Sequence, residues 1–330
     1  MTGAAHKARG NSRAAGFTLI ELLVTSTIAA LIFAGLGGVI RASVEAKTAV
    51  EDRLAVMQDA QFAMERMVRA VSNSRRLLLP LADRASTGWP EHIREQTVPA
   101  SPPVGGSTLA TAVLAVTLPA YSDLDFDGFP DADNDRDGLI DEDVGTDAVY
   151  DFEDGLYLID DDGDGLVDES ISSDDDEFGG FSGEDPLNGV DDDGDGSIDE
   201  DPPADANGDG CAGRCGVDDD GDGSIDEGSV ADDDEDGAAD EDYYDAVVFY
   251  LDVGTLRERT PVPWDETGAG GITARDFLTS AIAAGVTRVR FERIPASTGG
   301  LPLIDITLEL TSAGGESISL NRRVRVGGAL

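Results

Sequence analysis

The sequence predicts an α+β protein: one long N-terminal helix packed on an antiparallel sheet, with a large acidic insertion between strands. Three observations predict it. No proline interrupts residues 1–79, and within that stretch a 24-residue apolar run passes into an amphipathic one. The last third of the chain alternates apolar and polar residues with period two, as strands with one face on a core do. Between these two regions, aspartates recur in a fixed pattern with glycine.

The helix comes first. Residues 1–16, MTGAAHKARGNSRAAG, are basic through Lys7, Arg9 and Arg13. Residues 17–40 carry one charge, Glu21. At 1.5 Å per residue such a helix reaches ~36 Å, enough to cross a bilayer core of ~30 Å with some tilt. The basic flank belongs on the cytoplasmic side. Two blander readings compete. A secretory signal has a shorter apolar core followed by an A-x-A cleavage site, and this run has neither. A plain membrane anchor leaves Glu21 uncompensated, at a cost of ~2.5–3.5 kcal/mol on insertion scales.

Beyond the apolar run, Val50, Leu54, Met57, Met64, Val68 and Val71 recur at helical steps, with Gln61 filling the gap. They form one stripe for packing. Glu65 and Arg69 are spaced as an i, i+4 pair on another face. Gly35, Gly37 and Gly38 mark a soft point near the membrane exit. The helix is therefore expected over residues 17–76, with 17–42 in lipid and 43–78 amphipathic. A coiled coil is the competing reading, but the stripe is short and strand patterns follow it.

Residues 79–120 and 243–330 are expected to form the β-rich body. Residues 109–118 are β-branched and apolar, and 247–251 are a buried run. Val289 and Phe291 alternate with charges. Ile304, Ile306, Leu308 and Leu310 alternate with polar residues, and Ile318, Leu320, Val324 and Val326 continue the pattern. Such alternation is the habit of antiparallel sheets. Thr273 and Asp276 have capping-box spacing, which predicts a short helix ending near Gly285.

Residues 16–24, GFTLIELLV, resemble the prepilin cleavage and methylation motif of type IV pilins and type II secretion pseudopilins. The motif is glycine, then phenylalanine, then glutamate fifth in the new chain, all in one apolar run. The resemblance implies that a prepilin peptidase cuts between Gly16 and Phe17, so that residues 1–16 are a leader. It implies that the new amine of Phe17 is N-methylated and that Glu21 neutralises the amine of a neighbouring subunit. The electrostatics agree: an amine at a helix N-terminus adds to the positive end of the helix dipole, where a carboxylate is welcome. QDAQ at 58–61, AMERM at 63–67, VVFYLD at 247–252, TLRER at 255–259 and RVRVGGA at 323–329 are similar to the larger minor pseudopilins, the J-type of type II secretion and its pilus counterparts. That implies a pilin-like fold and a minor subunit without enzymatic activity. Its partners would be the inner-membrane assembly platform and other pilins or pseudopilins. It would start as a single-pass protein of the bacterial inner membrane, N-terminus in the cytoplasm, and end in a periplasmic or extracellular filament.

The insertion, residues 121–242, holds 49 of the 68 Asp and Glu but only two basic residues, Arg136 and Arg214; it carries −47 and the rest of the chain +2. Such a surface excludes nucleic acid, whose phosphates need basic partners, and invites cations. His6 and His92 are the only histidines, which argues against histidine catalysis or a histidine-rich metal site.

The charges are ordered. VDDDGDGSIDE occurs at 190–200 and again at 217–227. The unit is D-x-[DN]-x-D-G, seven times. Asp123, Asp125 and Asp127 precede Gly128; Asp133, Asp135 and Asp137 precede Gly138. Asp160, Asp162 and Asp164 precede Gly165; Asp191, Asp193 and Asp195 precede Gly196. Asp205, Asn207 and Asp209 precede Gly210; Asp218, Asp220 and Asp222 precede Gly223; Asp232, Asp234 and Asp236 precede Gly237. A further carboxylate follows in most units: Asp131, Asp141, Asp168, Asp199, Asp226, Asp240. Alternate oxygens and a glycine turn wrap one side of a hard cation, and calcium accepts six to eight oxygens at 2.3–2.6 Å. Ile140, Val167, Ile198 and Ile225 are placed to dock one loop on the next.

These loops resemble EF-hand-type loops and the calcium repeats of thrombospondin type 3 and dockerin-like modules. They depart from the EF-hand at the twelfth position, where Val144, Ile171, Pro202, Ser229 and Tyr243 replace the bidentate glutamate. Several Ca²⁺ ions are expected, with affinities of ~10⁻⁴–10⁻³ M as in extracellular modules. The closely spaced units at 123–131 and 133–141 look like the thrombospondin arrangement, in which neighbouring ions share ligands. The competing readings are a solvated acidic tract held by charge alone and a carboxylate acid/base catalyst, for which no apolar pocket is evident. Cys211 and Cys215 are too few for a zinc site; a disulfide loop and two free thiols both stay open.

The sequence thus predicts a membrane-inserted prepilin with a calcium-stabilised insertion that points outward. Two alternatives remain. One is a calcium-dependent adhesin or surface-recognition protein displayed on a pilin stem. The other is an anchored calcium-binding protein that never polymerises.

Overall fold

The computed structural model describes residues 18–81, 92–98, 112–124, 126, 128–134, 140, 156–157, 159, 210–212, 215–216, 224–226, 228–232, 243–261, 277–295, 301–312 and 314–328. The chain divides into two compact units, Met1–Glu51 and Asp52–Leu330. Helix α1 runs from Leu19 to Asn73 over 55 residues, close to the expected 17–76. In the first unit its apolar side chains are exposed, from Leu19 and Ile20 to Val39 and Ile40. It is the one described helix long and apolar enough to cross a membrane.

In the second unit the helix buries Ala60, Ala63, Met64, Met67 and Val71. This differs from the expected stripe. Val50, Leu54 and Met57 stay exposed, and contact begins only at the partly buried Val56. Two alanines, Ala60 and Ala63, share the buried face with the larger Met64, Met67 and Val71. A small side chain lets the helix backbone approach the sheets, while Met67 and Val71 supply burial of ~1.5–3 kcal/mol each. Glu65 and Arg69 are both exposed. The ion pair that forms is Arg66 Nε with both carboxylate oxygens of Glu258, each at 2.7 Å.

Nine strands follow among the described residues: β1 Leu77–Leu79, β2 Ile93–Thr97, β3 Val113–Thr117, β4 Ala246–Asp252, β5 Thr255–Pro261, β6 Phe277–Ala284, β7 Val286–Ile294, β8 Leu303–Thr311 and β9 Ser317–Arg325. They form two antiparallel sheets, β1-β3-β4-β5-β6 and β2-β7-β8-β9. Both sheets and the helix share one core, with Leu114, Phe249, Leu256, Phe291, Ile304, Ile306, Leu308 and Leu310 buried against Met67 and Val71. The alternation in β8 is complete, since every second residue is buried. The expected α+β architecture is present, with two sheets where one was expected.

The short helix expected to end near Gly285 is a strand. Thr273 and Asp276 lie outside the described residues, but Phe277–Ala284 pairs with β5 as β6. Eight residues of ladder bonding override a capping signal worth about 1 kcal/mol. Gly285 does have positive φ, +71°, but as the corner where the chain leaves one sheet for the other. A Cβ there would stand 2.6 Å from the Thr311 carbonyl oxygen.

The insertion leaves from β3 and returns to β4, two paired neighbours with Thr117 opposite Ala246. β3 is buried on both faces. Leu114 and Val116 face the main core, while Val113 and Ala115 join a second cluster with Leu79, Leu81, Tyr244 and Val248. Two residues of the insertion, Leu156 and Ile159, complete that second cluster. Leu156 and Ile159 therefore lie against the side of the five-stranded sheet away from the main core.

Candidate functional site

The N-terminal site is built on the first turn of α1. Gly16 and Phe17 lie outside the described residues. Glu21 and Thr18 cap the helix reciprocally. The Thr18 amide and hydroxyl both donate to Glu21 Oε2, at 3.0 and 2.9 Å, and the Glu21 amide donates to Thr18 Oγ1 at 3.3 Å. The pattern T-x-x-E at residues 18–21 is a capping box. It fixes the one acidic group of the apolar run at the positive end of the helix. The hydroxyls of Thr25, Ser26 and Thr27 donate back to carbonyls of Glu21, Leu22, Leu23 and Val24. This satisfies them inside a segment with no water to do so.

The prokaryotic N-terminal methylation motif family matches residues 11–37. The chain carries a prepilin-type N-terminus. Its match covers residues 17–37 of the run from Phe17 to Ile40 in which Glu21 is the single charge. With the long apolar helix, which suits a membrane anchor, and the antiparallel sheets behind it, the arrangement is pilin-like. No curated protein and no solved structure matches the chain with significance.

The second site is the insertion. Of its acidic positions, Asp123, Asp131, Asp133, Asp226 and Asp232 are among the described residues; the other loop aspartates and Asn207 lie outside them. Two repeat glycines, Gly128 and Gly210, have positive φ of 99° and 84°, as the sharp turn of the D-x-D-x-D-G unit requires. The first loop closes on itself. The Asp131 amide donates to the Ser122 carbonyl, and the Leu124 amide donates to Asp131 Oδ2, both at 2.7 Å. Asp133 is 3% exposed, and neither of its carboxylate oxygens has a hydrogen-bond partner. Asp123 Oδ1 is buried in the same condition. Among the described residues, no three acidic, cysteine or histidine side chains surround a common point suited to a metal.

Side chains of the body hold this region. Asn134 Nδ2 donates to Asp245 Oδ2 at 3.2 Å, just before β4. An Arg75 guanidinium nitrogen donates to the Ile140 carbonyl at 2.8 Å, and one of Arg259 to the Tyr157 carbonyl at 2.6 Å. Arg259 also stacks 3.8 Å from the Phe277 ring centre. Sequence reasoning missed Asn134, Asp245, Arg75 and Arg259, because no local pattern marks a residue whose partner is up to 111 positions away.

Farther along, Cys211 and Cys215 form a disulfide with Cα atoms 5.3 Å apart. The Gly216 amide just beyond it donates to Asp226 Oδ1 at 2.6 Å. The small loop thereby orients the trailing acid of the sixth repeat.

Proposed function

We propose that the chain is a minor pilin or pseudopilin of a type IV pilus or type II secretion system, with an insertion stabilised by calcium. The methylation motif with Glu21 in the first helical turn carries the first half of the reading. A prepilin peptidase cuts after Gly16, and the freed ammonium of Phe17 meets Glu21 of an adjacent subunit. Each charge is expensive alone in lipid; together they neutralise and set the register between subunits. The assembly platform in the inner membrane then adds the subunit to the filament. The role is structural, not catalytic. Mass spectrometry of the native protein should find Phe17 as the methylated first residue. Glu21→Ala should still insert in membrane but fail to enter the filament, and incorporation at the parental level would refute the assembly role.

Asp133 supports the calcium half. A buried carboxylate with both oxygens unsatisfied costs several kcal/mol, and a cation is the simplest remedy. Oxygen donors alone, on alternate residues, suit calcium better than a softer or smaller ion. Residues 123–141 would hold the first ions, and the later repeats further ones. The ion supplies positive charge and coordination that draw the carboxylates together. The chain supplies the glycine turns, the apolar docking residues and the disulfide. Calcium titrated into the full chain should raise its melting temperature and reduce its hydrodynamic radius, and an absence of both effects would remove this half.

One observation favours the adhesin reading. Tyr121, Phe126 and Phe129 sit exposed beside the first acidic loop, Phe126 by 87%. Exposed aromatics near a binding loop are where partners attach. Replacing all three with serine separates the readings. A loss of attachment with filament assembly intact favours display; a loss of assembly favours a subunit role.

A further inference from the structure

The geometry points to Asp133 as the metal ligand of a site at the root of the insertion, whose occupancy tightens the neck between β3 and β4 through Asn134 and Asp245. This inference rests on the calcium reading and adds what the ion does to the pilin-like body.

The neck is narrow. The insertion leaves at Leu118 and returns at Asp245, and the Leu118 amide donates to the Asp245 carbonyl at 2.7 Å. Thr117 and Ala246 then begin the β3–β4 ladder. Asp245 thus holds the departing strand with its backbone. With its side chain it holds the insertion, through Asn134 Nδ2 at 3.2 Å. Asn134 and Asp245 are both 5% exposed, so this bond is shielded from water. The residue next to Asn134 is Asp133, buried to 3% with two unsatisfied oxygens. Two aspartates are therefore buried at one neck, linked by a single asparagine.

The electrostatics give the coupling its sign. Without a cation, the Asp133 carboxylate gains by turning out to water, and its neighbour Asn134 is then drawn off Asp245. With a cation bound, Asp133 stays in place and Asn134 remains seated. Binding to the closed neck alone stabilises that state by mass action. In the sequence, Asp135, Asp137 and Asp141 continue the unit that Asp133 opens; they lie outside the described residues. The bond from the Leu124 amide to Asp131 closes the preceding loop on itself, two residues before Asp133. The later repeats lack an asparagine after their first aspartate: Asp161, Asp192, Ala206, Asp219 and Asp233 stand there. The neck device belongs to the Asp133 unit.

Hydrogen-exchange mass spectrometry of the full chain in detergent, with calcium chloride or with a chelator, tests this. Calcium is expected to slow exchange about tenfold in peptides covering residues 112–118 and 243–252. Asp133→Asn should abolish that slowing while peptides over 190–200 and 217–227 still respond to calcium. Asn134→Ala should keep the response in the first loops but lose it in the strands. Slow exchange in helix residues 60–71 shows that a variant is folded; should Asp133→Asn fail that check, Asn134→Ala decides alone. Strand amides indifferent to calcium, or variants behaving as the parent, would overturn the inference and leave the calcium reading standing. If no peptide between 121 and 242 responds, the calcium reading falls, and the neck with it.

Discussion

Glu258 shows how one buried charge commits its partner. Its side chain is 6% exposed under Arg66, which is 48% exposed. The arginine can still reach water, but the carboxylate cannot, so removing the arginine harms more than removing both. Arg66→Ala is expected to destabilise the body by about 1–2 kcal/mol, less than a fully buried pair because solvent screens the exposed end. Adding Glu258→Gln should recover part of the loss in a urea melt. At this scale the sequence was legible where chemistry is local. Glu21 stood out because it is the single charge in an apolar run. Gly128 and Gly210 stood out because the repeat places them. The partners Glu258, Asn134 and Asp245 did not, since their meaning comes from residues 192 and 111 positions away.

At the scale of elements, period and pairing decide. The alternation of β7 and β8 was readable because each has one face on a core. β6 was misread because its apolar residues suit a helix or a strand, and only the partner β5 settles the choice. Gly285 marks that corner, and Gly285→Ala should cost about 2–3 kcal/mol, from the positive φ and the clash with Thr311 together. A drop in melting temperature with unchanged helix content would be the signature. The outer face of the four-stranded sheet adds a pH response. A hydrogen bond from Arg288 holds the Glu95 carboxyl below its ordinary range, and one from Arg323 does the same for Asp305. Carboxyls with lowered values contribute stability that is present above the unfolded values near pH 4 and is lost as pH falls through the folded ones. Acid should therefore weaken β2, β7, β8 and β9 below about pH 4. Arg323→Gln should reduce the acid-dependent part of the loss, read from melting temperatures at pH 3 and pH 6.

For the whole molecule the contest is between charge and its remedy. The insertion carries −47 against +2 elsewhere, yet Leu156 and Ile159 from it complete a core cluster on the five-stranded sheet. The change of composition at residue 121 is legible in the sequence, and β3 ends at Thr117. That the insertion shares a core with the body was not legible, because two apolar residues in an acidic tract carry no period. Two like charges 4 Å apart repel by ~1 kcal/mol even in water, so a tract of this density resists compaction strongly. Monovalent salt and calcium relieve this differently. At 1 M salt the screening length falls to ~3 Å, which removes long-range repulsion but gives Asp133 no ligand. Sodium chloride should therefore shrink the hydrodynamic radius of the full chain only part of the way and leave its melting temperature nearly unchanged. Millimolar calcium should do both, and the two effects should survive in 0.15 M salt, where surface charges are already screened beyond ~8 Å. If sodium chloride alone reproduced the whole calcium response, diffuse charge would account for the insertion, and the ordered spacing of its aspartates would need another cause.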